Sequence, residues 1–115
     1  MPAGFLLAVA IAGCGSGTSP GAAASPAPGT VELVHFQYSP RTLEIASGTS
    51  LTFVNKDAAA HTVTEGSDGS PSPDGRFDDR LNEGHQVVIS FGTPGPYQIT
   101  CKFHPTMSMT VTVRP

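Results

Sequence analysis

Cys101-Lys102-Phe103-His104-Pro105-Thr106-Met107 places a thiol, an imidazole and a thioether within one short stretch near the C-terminus. Soft sulfur holds Cu(I), and imidazole tolerates both copper oxidation states. A zinc half-site would read Cys-x-x-Cys or recruit further Cys and His nearby, and zinc sites rarely use Met. One more His from elsewhere would complete a trigonal His2Cys plane with a weak axial Met around one copper ion. His61 is a good candidate.

Working outward, Tyr97-Gln98-Ile99-Thr100-Cys101 reads as the strand that enters this stretch, and Met109 to Val113 as the strand that leaves it. Gln86 to Phe91 alternates apolar and polar residues, and Gly92-Thr93-Pro94-Gly95 turns the chain after it. Upstream, Val31 to Tyr38 reads as one strand stopped by Ser39-Pro40. Leu43-Glu44-Ile45, Ser50 to Asn55 and His61 to Thr64 read as three more. Glu65 to Asp79 is rich in Gly, Ser, Pro and Asp and reads as a surface loop. No helical periodicity is sustained. The expectation is an all-β, Greek-key β-sandwich or barrel of seven to eight strands.

The chain has 115 residues, which suits one domain, and a net charge of −3, which excludes the basic stripe that nucleic-acid binding needs. Residues 1–14 read as a lipoprotein signal peptide. Phe5 to Ala12 is an apolar run too short to span a membrane as a helix, and Ile11-Ala12-Gly13-Cys14 resembles a bacterial lipobox with Cys14 as the acylated residue. Met1-Pro2-Ala3-Gly4 lacks the usual positive residue. Residues 15–29 are Gly, Ser, Ala, Thr and Pro without charge, the composition of a flexible linker. The folded domain is expected over 30–115. The protein is then exported and lipid-anchored on the extracytoplasmic, periplasmic side of the membrane. Each Cys has its own task, so no disulfide is expected.

The segments in order resemble the cupredoxins, and most closely the plastocyanin and amicyanin branch. Asn55-Lys56-Asp57-Ala58-Ala59-Ala60-His61-Thr62-Val63 is similar to the first-ligand segment of that family. Phe77-Asp78 and Gly84 look like its middle region, and Pro94-Gly95-Pro96-Tyr97 like the turn into its Cys strand. Cys101-x-x-His104-x-x-Met107 resembles the short amicyanin loop. The resemblance implies a type 1 blue copper site with His61, Cys101, His104 and Met107 as ligands, at one end of an eight-stranded sandwich. Two positions depart from the pattern. Thr62 stands where the family often has Asn, whose side chain ties the two ligand loops together, and its hydroxyl is expected to do the same less well. Phe103 stands where the family often has Pro.

Met109 lies at the plastocyanin-like spacing, but with Val111-Thr112-Val113 as closing strand the distance from axial Met to that strand which the resemblance implies selects Met107 and leaves Met109 as core. His35 reads as an ordinary strand residue, and His85 as exposed at a strand start. The carboxylates from Glu65 to Asp79 read as a solvated loop or, more sharply, as a docking surface for a basic redox partner. They lack the spacing of a calcium loop. No nucleophile–base pair suggests an enzyme. The expected function is that of a monomeric one-electron carrier between a protein donor and a protein acceptor. The competing reading uses the same residues in a carrier or scavenger that hands over copper itself.

Overall fold

A computed structural model of the protein describes residues 29–115. The expected leader with Cys14, and the linker up to residue 28, lie outside the described residues. Ten strands follow one another: β1 (Thr30–Val34), β2 (Gln37–Ser39), β3 (Thr42–Ala46), β4 (Thr49–Asn55), β5 (His61–Ser67), β6 (Ser70–Pro71), β7 (Asp78–Leu81), β8 (Gln86–Phe91), β9 (Gly95–Thr100) and β10 (Ser108–Arg114). One sheet has the order β2-β1-β4-β8. The other runs β3-β10-β9-β5-β6, with β7 also paired to β5. β1 with β4 and β3 with β10 are parallel pairs, so the connections between them cross from sheet to sheet.

Period-two alternation makes the sandwich. β4 turns Leu51, Phe53 and Asn55 inward, and β10 turns Met109, Val111 and Val113 inward. With Val31, Leu33, Phe91 and Ile99, all of these but Asn55 form one buried apolar core. Each fully buried side chain of this size stabilises by about 1.5–3 kcal/mol.

Two expectations are corrected. The first is the single strand Val31 to Tyr38, which is two strands. β1 and β2 pair antiparallel with Val34 opposite Gln37, and His35 and Phe36 form the two-residue turn between them. Both have positive φ, 56° and 58°. That is the type I′ turn whose twist suits a hairpin, normally supplied by Asn-Gly. His35 is therefore an exposed turn residue rather than a strand residue. Left-handed backbone at non-glycine residues costs roughly 1–2 kcal/mol each. Asp57 offsets this: its Oδ1 accepts the His35 N–H at 2.8 Å and its Oδ2 the Phe36 N–H at 2.9 Å.

The second correction concerns Glu65 to Asp79. β5 continues through Glu65 to Ser67 and turns at Asp68-Gly69 into β6. Glu65 is buried, so it does not belong to an exposed acidic surface. Its carboxylate accepts the Arg76 amide at 2.8 Å and the Arg76 guanidinium at 3.2 and 3.1 Å. Arg76 also donates to Tyr97 Oη at 2.9 Å and lies over the Tyr97 ring. The segment is thus clamped onto β9.

Gly66 is buried where β5 meets β6, and a Cβ there would run into the carbonyl of Ser70 and the Cα of Pro71. Both are backbone and cannot move aside. Gly66→Ala is expected to cost about 3 kcal/mol in chemical denaturation. Ser67→Ala, at the exposed neighbour, should change stability by less than about 0.5 kcal/mol.

Candidate metal centre

The loop from β4 to β5 is shaped by Asn55. Its Nδ2 donates to Ala59 O at 2.9 Å and Leu81 O at 3.0 Å, and its Oδ1 accepts the Asp57 N–H at 2.9 Å. These bonds deliver His61 to the start of β5, fully buried. His61 Nε2 lies 2.8 Å from Asp57 Oδ2. A carboxylate only accepts, so Nε2 carries a proton, and in the neutral ring this leaves Nδ1 bare. Nδ1 faces Cys101 Sγ at 3.9 Å. Burial acts to raise the Asp57 pKa, but hydrogen bonds from the Phe36 amide, His61 and the His35 amide outweigh it. Its carboxyl therefore sits below the ordinary range.

Cys101 follows β9 directly and is fully buried. The Thr62 N–H donates to its sulfur at 3.3 Å. The Lys102 N–H donates to Thr62 Oγ1 at 2.9 Å, and the Thr62 and Thr64 hydroxyls are hydrogen-bonded at 2.9 Å. Thr62 thus joins the His61 segment to the Cys101 segment, as expected of its hydroxyl. Tyr38 Oη–H donates to Thr62 O at 2.6 Å from inside the core. Burial, aided by the Cys101 sulfur, pushes that phenol up and keeps it protonated.

The loop from Cys101 to Met107 is closed by its own backbone. Met107 N–H donates to His104 O at 2.8 Å, and Cys101 N–H to Met107 O at 3.1 Å. A Cβ at Gly69 would lie 3.0 Å from the Pro105 ring, so the β5–β6 turn rests against this loop. Met107 is buried within the loop, while Met109 is buried in β10 opposite Ile99. His104 is half-buried, its ring 5.0 Å from that of His61 at an interplanar angle of 72°. The Phe36 ring meets both edge-on, at 5.3 Å from His61 and 4.8 Å from His104. Phe36, in contact with His104, and Phe103, its neighbour in sequence, remain 50% and 46% exposed, and the Phe103 ring lies under the Arg80 guanidinium. His85 is exposed ahead of β8 and takes no part.

The donor set fits one soft-to-borderline cation. With bonds of about 2.3 Å to sulfur and about 2.0 Å to nitrogen, two ligands of one ion stand roughly 3.5–3.7 Å apart. The bare Nδ1 of His61 and the Cys101 sulfur stand 3.9 Å apart. The His104 ring lies against that of His61, and the Met107 backbone is hydrogen-bonded to that of Cys101. Among the described residues no three His, Cys, Asp or Glu side chains already form a closed cluster. The structure brings His61 and Cys101 to ligating separation and sets His104 beside them. Asp57 and Phe36 are the participants that sequence reasoning passed over. Asp57 lay inside the quoted segment, four residues before His61; Phe36 carried no signal.

Residues 4–113 match the profile of the Cupredoxin-like domain family. The chain belongs to the cupredoxins. Members of this family bind copper and are in general electron-transferring blue copper proteins rather than enzymes. A chloroplastic plastocyanin from Physcomitrium patens is 33% identical over 72 residues, 58% of this cupredoxin and 43% of that protein. The chain therefore spans less than half the length of this curated relative. A purple cupredoxin from Nitrosopumilus maritimus superimposes with a TM-score of 0.64 at 28% identity, covering 73% of this chain and 97% of that one. An amicyanin variant in its Cu(I) form gives a TM-score of 0.64 at 20% identity over 74% of this chain and 80% of that one, a likeness of fold.

Asp78 at the edge of the site supplies a pH dependence. The Lys102 ammonium, 2.8 Å away, holds its carboxyl below the ordinary range; partial burial opposes this, and the Thr64 hydroxyl at 2.9 Å assists. A carboxyl whose pKa is lower folded than unfolded stabilises above the unfolded pKa, and loses that contribution as pH falls through the folded one. The Asp78 contribution to the stability of the copper-free protein should therefore be constant near neutrality and lost below about pH 4. Asp78→Asn should flatten part of the acid-side loss, by a small, salt-sensitive amount because both partners are exposed. Urea melts across the acidic range check it.

Proposed function

We propose that this cupredoxin carries single electrons on one type 1 copper ion held by His61, Cys101, His104 and Met107. The observation that carries this reading is the bare Nδ1 of His61 facing the buried Cys101 sulfur at 3.9 Å, with the Thr62 amide aimed at that sulfur. Copper, when bound, supplies a one-electron couple between Cu(II) and Cu(I). The chain supplies rigidity. Each ligand segment is closed by hydrogen bonds that do not depend on the metal, so the same geometry serves both oxidation states. His104 is the half-buried ligand beside the exposed Phe36 ring and is the route for electrons to and from protein partners. The chain works as a monomer that meets a protein donor and a protein acceptor. Cys14 carries the lipid that holds it on the extracytoplasmic side of the membrane, and residues 15–29 tether the domain. Lipoprotein chains anchor stably where a single acyl chain binds only marginally.

Adding Cu(II) to the purified metal-free protein should give an intense visible band and a reversible one-electron wave in voltammetry. A colourless protein that holds only Cu(I) and yields it to an acceptor would replace electron transfer by metal transfer. Cys101→Ser should abolish the band, because the absorption arises from thiolate-to-copper charge transfer. Met107→Leu should leave a coloured site with a higher potential, since losing a weak axial donor disfavours Cu(II) more than Cu(I). Met109→Leu should leave the spectrum unchanged; the reverse pattern would move the axial role to Met109.

Cys14→Ser should abolish acylation and release the protein from membranes in fractionation with radiolabelled fatty acid. Wild-type protein found free and unacylated would remove the anchor.

A further inference from the structure

One carboxylate at this site has three donors converging on it. Asp57 Oδ1 takes the His35 amide, and Oδ2 takes both the Phe36 amide and His61 Nε2–H, at 2.8, 2.9 and 2.8 Å. Only 13% of the Asp57 side chain is exposed, and that of His61 is fully buried. The two amides belong to the turn with positive φ at both residues. The ring of Phe36 in that turn touches His61 and His104.

We propose that Asp57 is a positioning residue that couples the His35–Phe36 turn to His61 and sets the electron affinity of the centre. The proposal rests on the copper reading above for its redox half only. Four consequences of the geometry support it. The carboxylate fixes the His61 tautomer, so the bare nitrogen points at Cys101. A carboxylate behind a ligating imidazole raises the basicity of its ligating nitrogen. The negative charge, one imidazole away from the metal position, favours Cu(II) over Cu(I). The same side chain holds a turn that the sequence does not favour, and so keeps Phe36 over both rings.

Asn cannot replace it. Asn offers one accepting oxygen, and its NH2 would face a backbone or imidazole donor. Losing a partner of this kind commonly costs 10–100-fold in metal affinity. If the loss falls on Cu(II), a tenfold change in the Cu(II)-to-Cu(I) ratio raises the potential by about 59 mV for one electron.

The experiment has two arms. In the first, nitrogen-15 NMR of the metal-free protein, in mildly alkaline buffer where free imidazoles are neutral, reads the His61 tautomer. Wild type should carry its proton on Nε2, and Asp57→Asn should mix or reverse the tautomers. A wild-type proton on Nδ1, or an unchanged tautomer in the variant, overturns the hold on His61. In the second arm, voltammetry of the copper-loaded proteins should show Asp57→Asn raised by about tenfold in that ratio. An unchanged potential overturns the redox half.

A background of His35→Asn with Phe36→Gly gives the turn the Asn-Gly pair that favours type I′ unaided. This keeps the protein folded if Asp57→Asn alone unfolds it. The shifts in tautomer and potential should persist there. Their disappearance would reduce Asp57 to a turn brace and overturn the proposal. Proteins that bind no coloured copper would end the electron-carrier reading and, with it, the redox half. The tautomer would still uphold or overturn the hold on His61.

Discussion

The Thr62 amide points at the Cys101 sulfur from 3.3 Å, and nearly every contact at this end of the sandwich serves to keep it there. A buried thiol has poor hydrogen-bonding capacity, and a buried amide needs an acceptor. Each answers the other only if β5 and the end of β9 stay in register. The Thr62 hydroxyl under the Lys102 amide fixes that register from one side. The Tyr38 phenol on the Thr62 carbonyl fixes it from the core. Thr62 therefore spends its amide, hydroxyl and carbonyl on one alignment. The ordinary asparagine of the family is not required for it.

Much of the molecule was legible in the sequence because it obeys simple periods. β4, β8, β9 and β10 alternate cleanly, and the ligand types of the last loop admit few chemistries. His61 could be chosen over His35 and His85 only through resemblance, since no local signal distinguishes a ligand from a strand histidine. The His35–Phe36 turn was hidden. Nothing in Val-His-Phe-Gln announces positive φ, because the favourable term comes from Asp57, distant in sequence. The Asp68-Gly69 turn was readable in principle. Asp-Gly is a standard hairpin signal, but the Ser, Pro and Gly around it mimic a long loop. Glu65 looked like one more surface acid because its partner Arg76 comes eleven residues later, across that same hairpin.

Two left-handed turns border the candidate centre, one leaning on Pro105 and the other presenting Phe36 to both imidazoles. Hairpin turns of this type are short and twist-matched to their strands. They brace the ligand loop without long mobile segments. The loop's internal bonds between Met107, His104 and Cys101 complete the bracing. Such a frame resists reorganisation when charge changes at its centre, which is the physical demand on any electron carrier.

The position of Tyr38 has an optical consequence. The chain contains no tryptophan and two tyrosines. Tyr97 lies beneath the Arg76 guanidinium, whereas Tyr38 is hydrogen-bonded to the residue whose amide touches the Cys101 sulfur. Ultraviolet emission from the unlabelled protein thus divides between the Tyr97 ring under Arg76 and the Tyr38 ring joined to Cys101 through Thr62. A change at Cys101 therefore reaches the emission first through Tyr38 and would show as a loss of part of it.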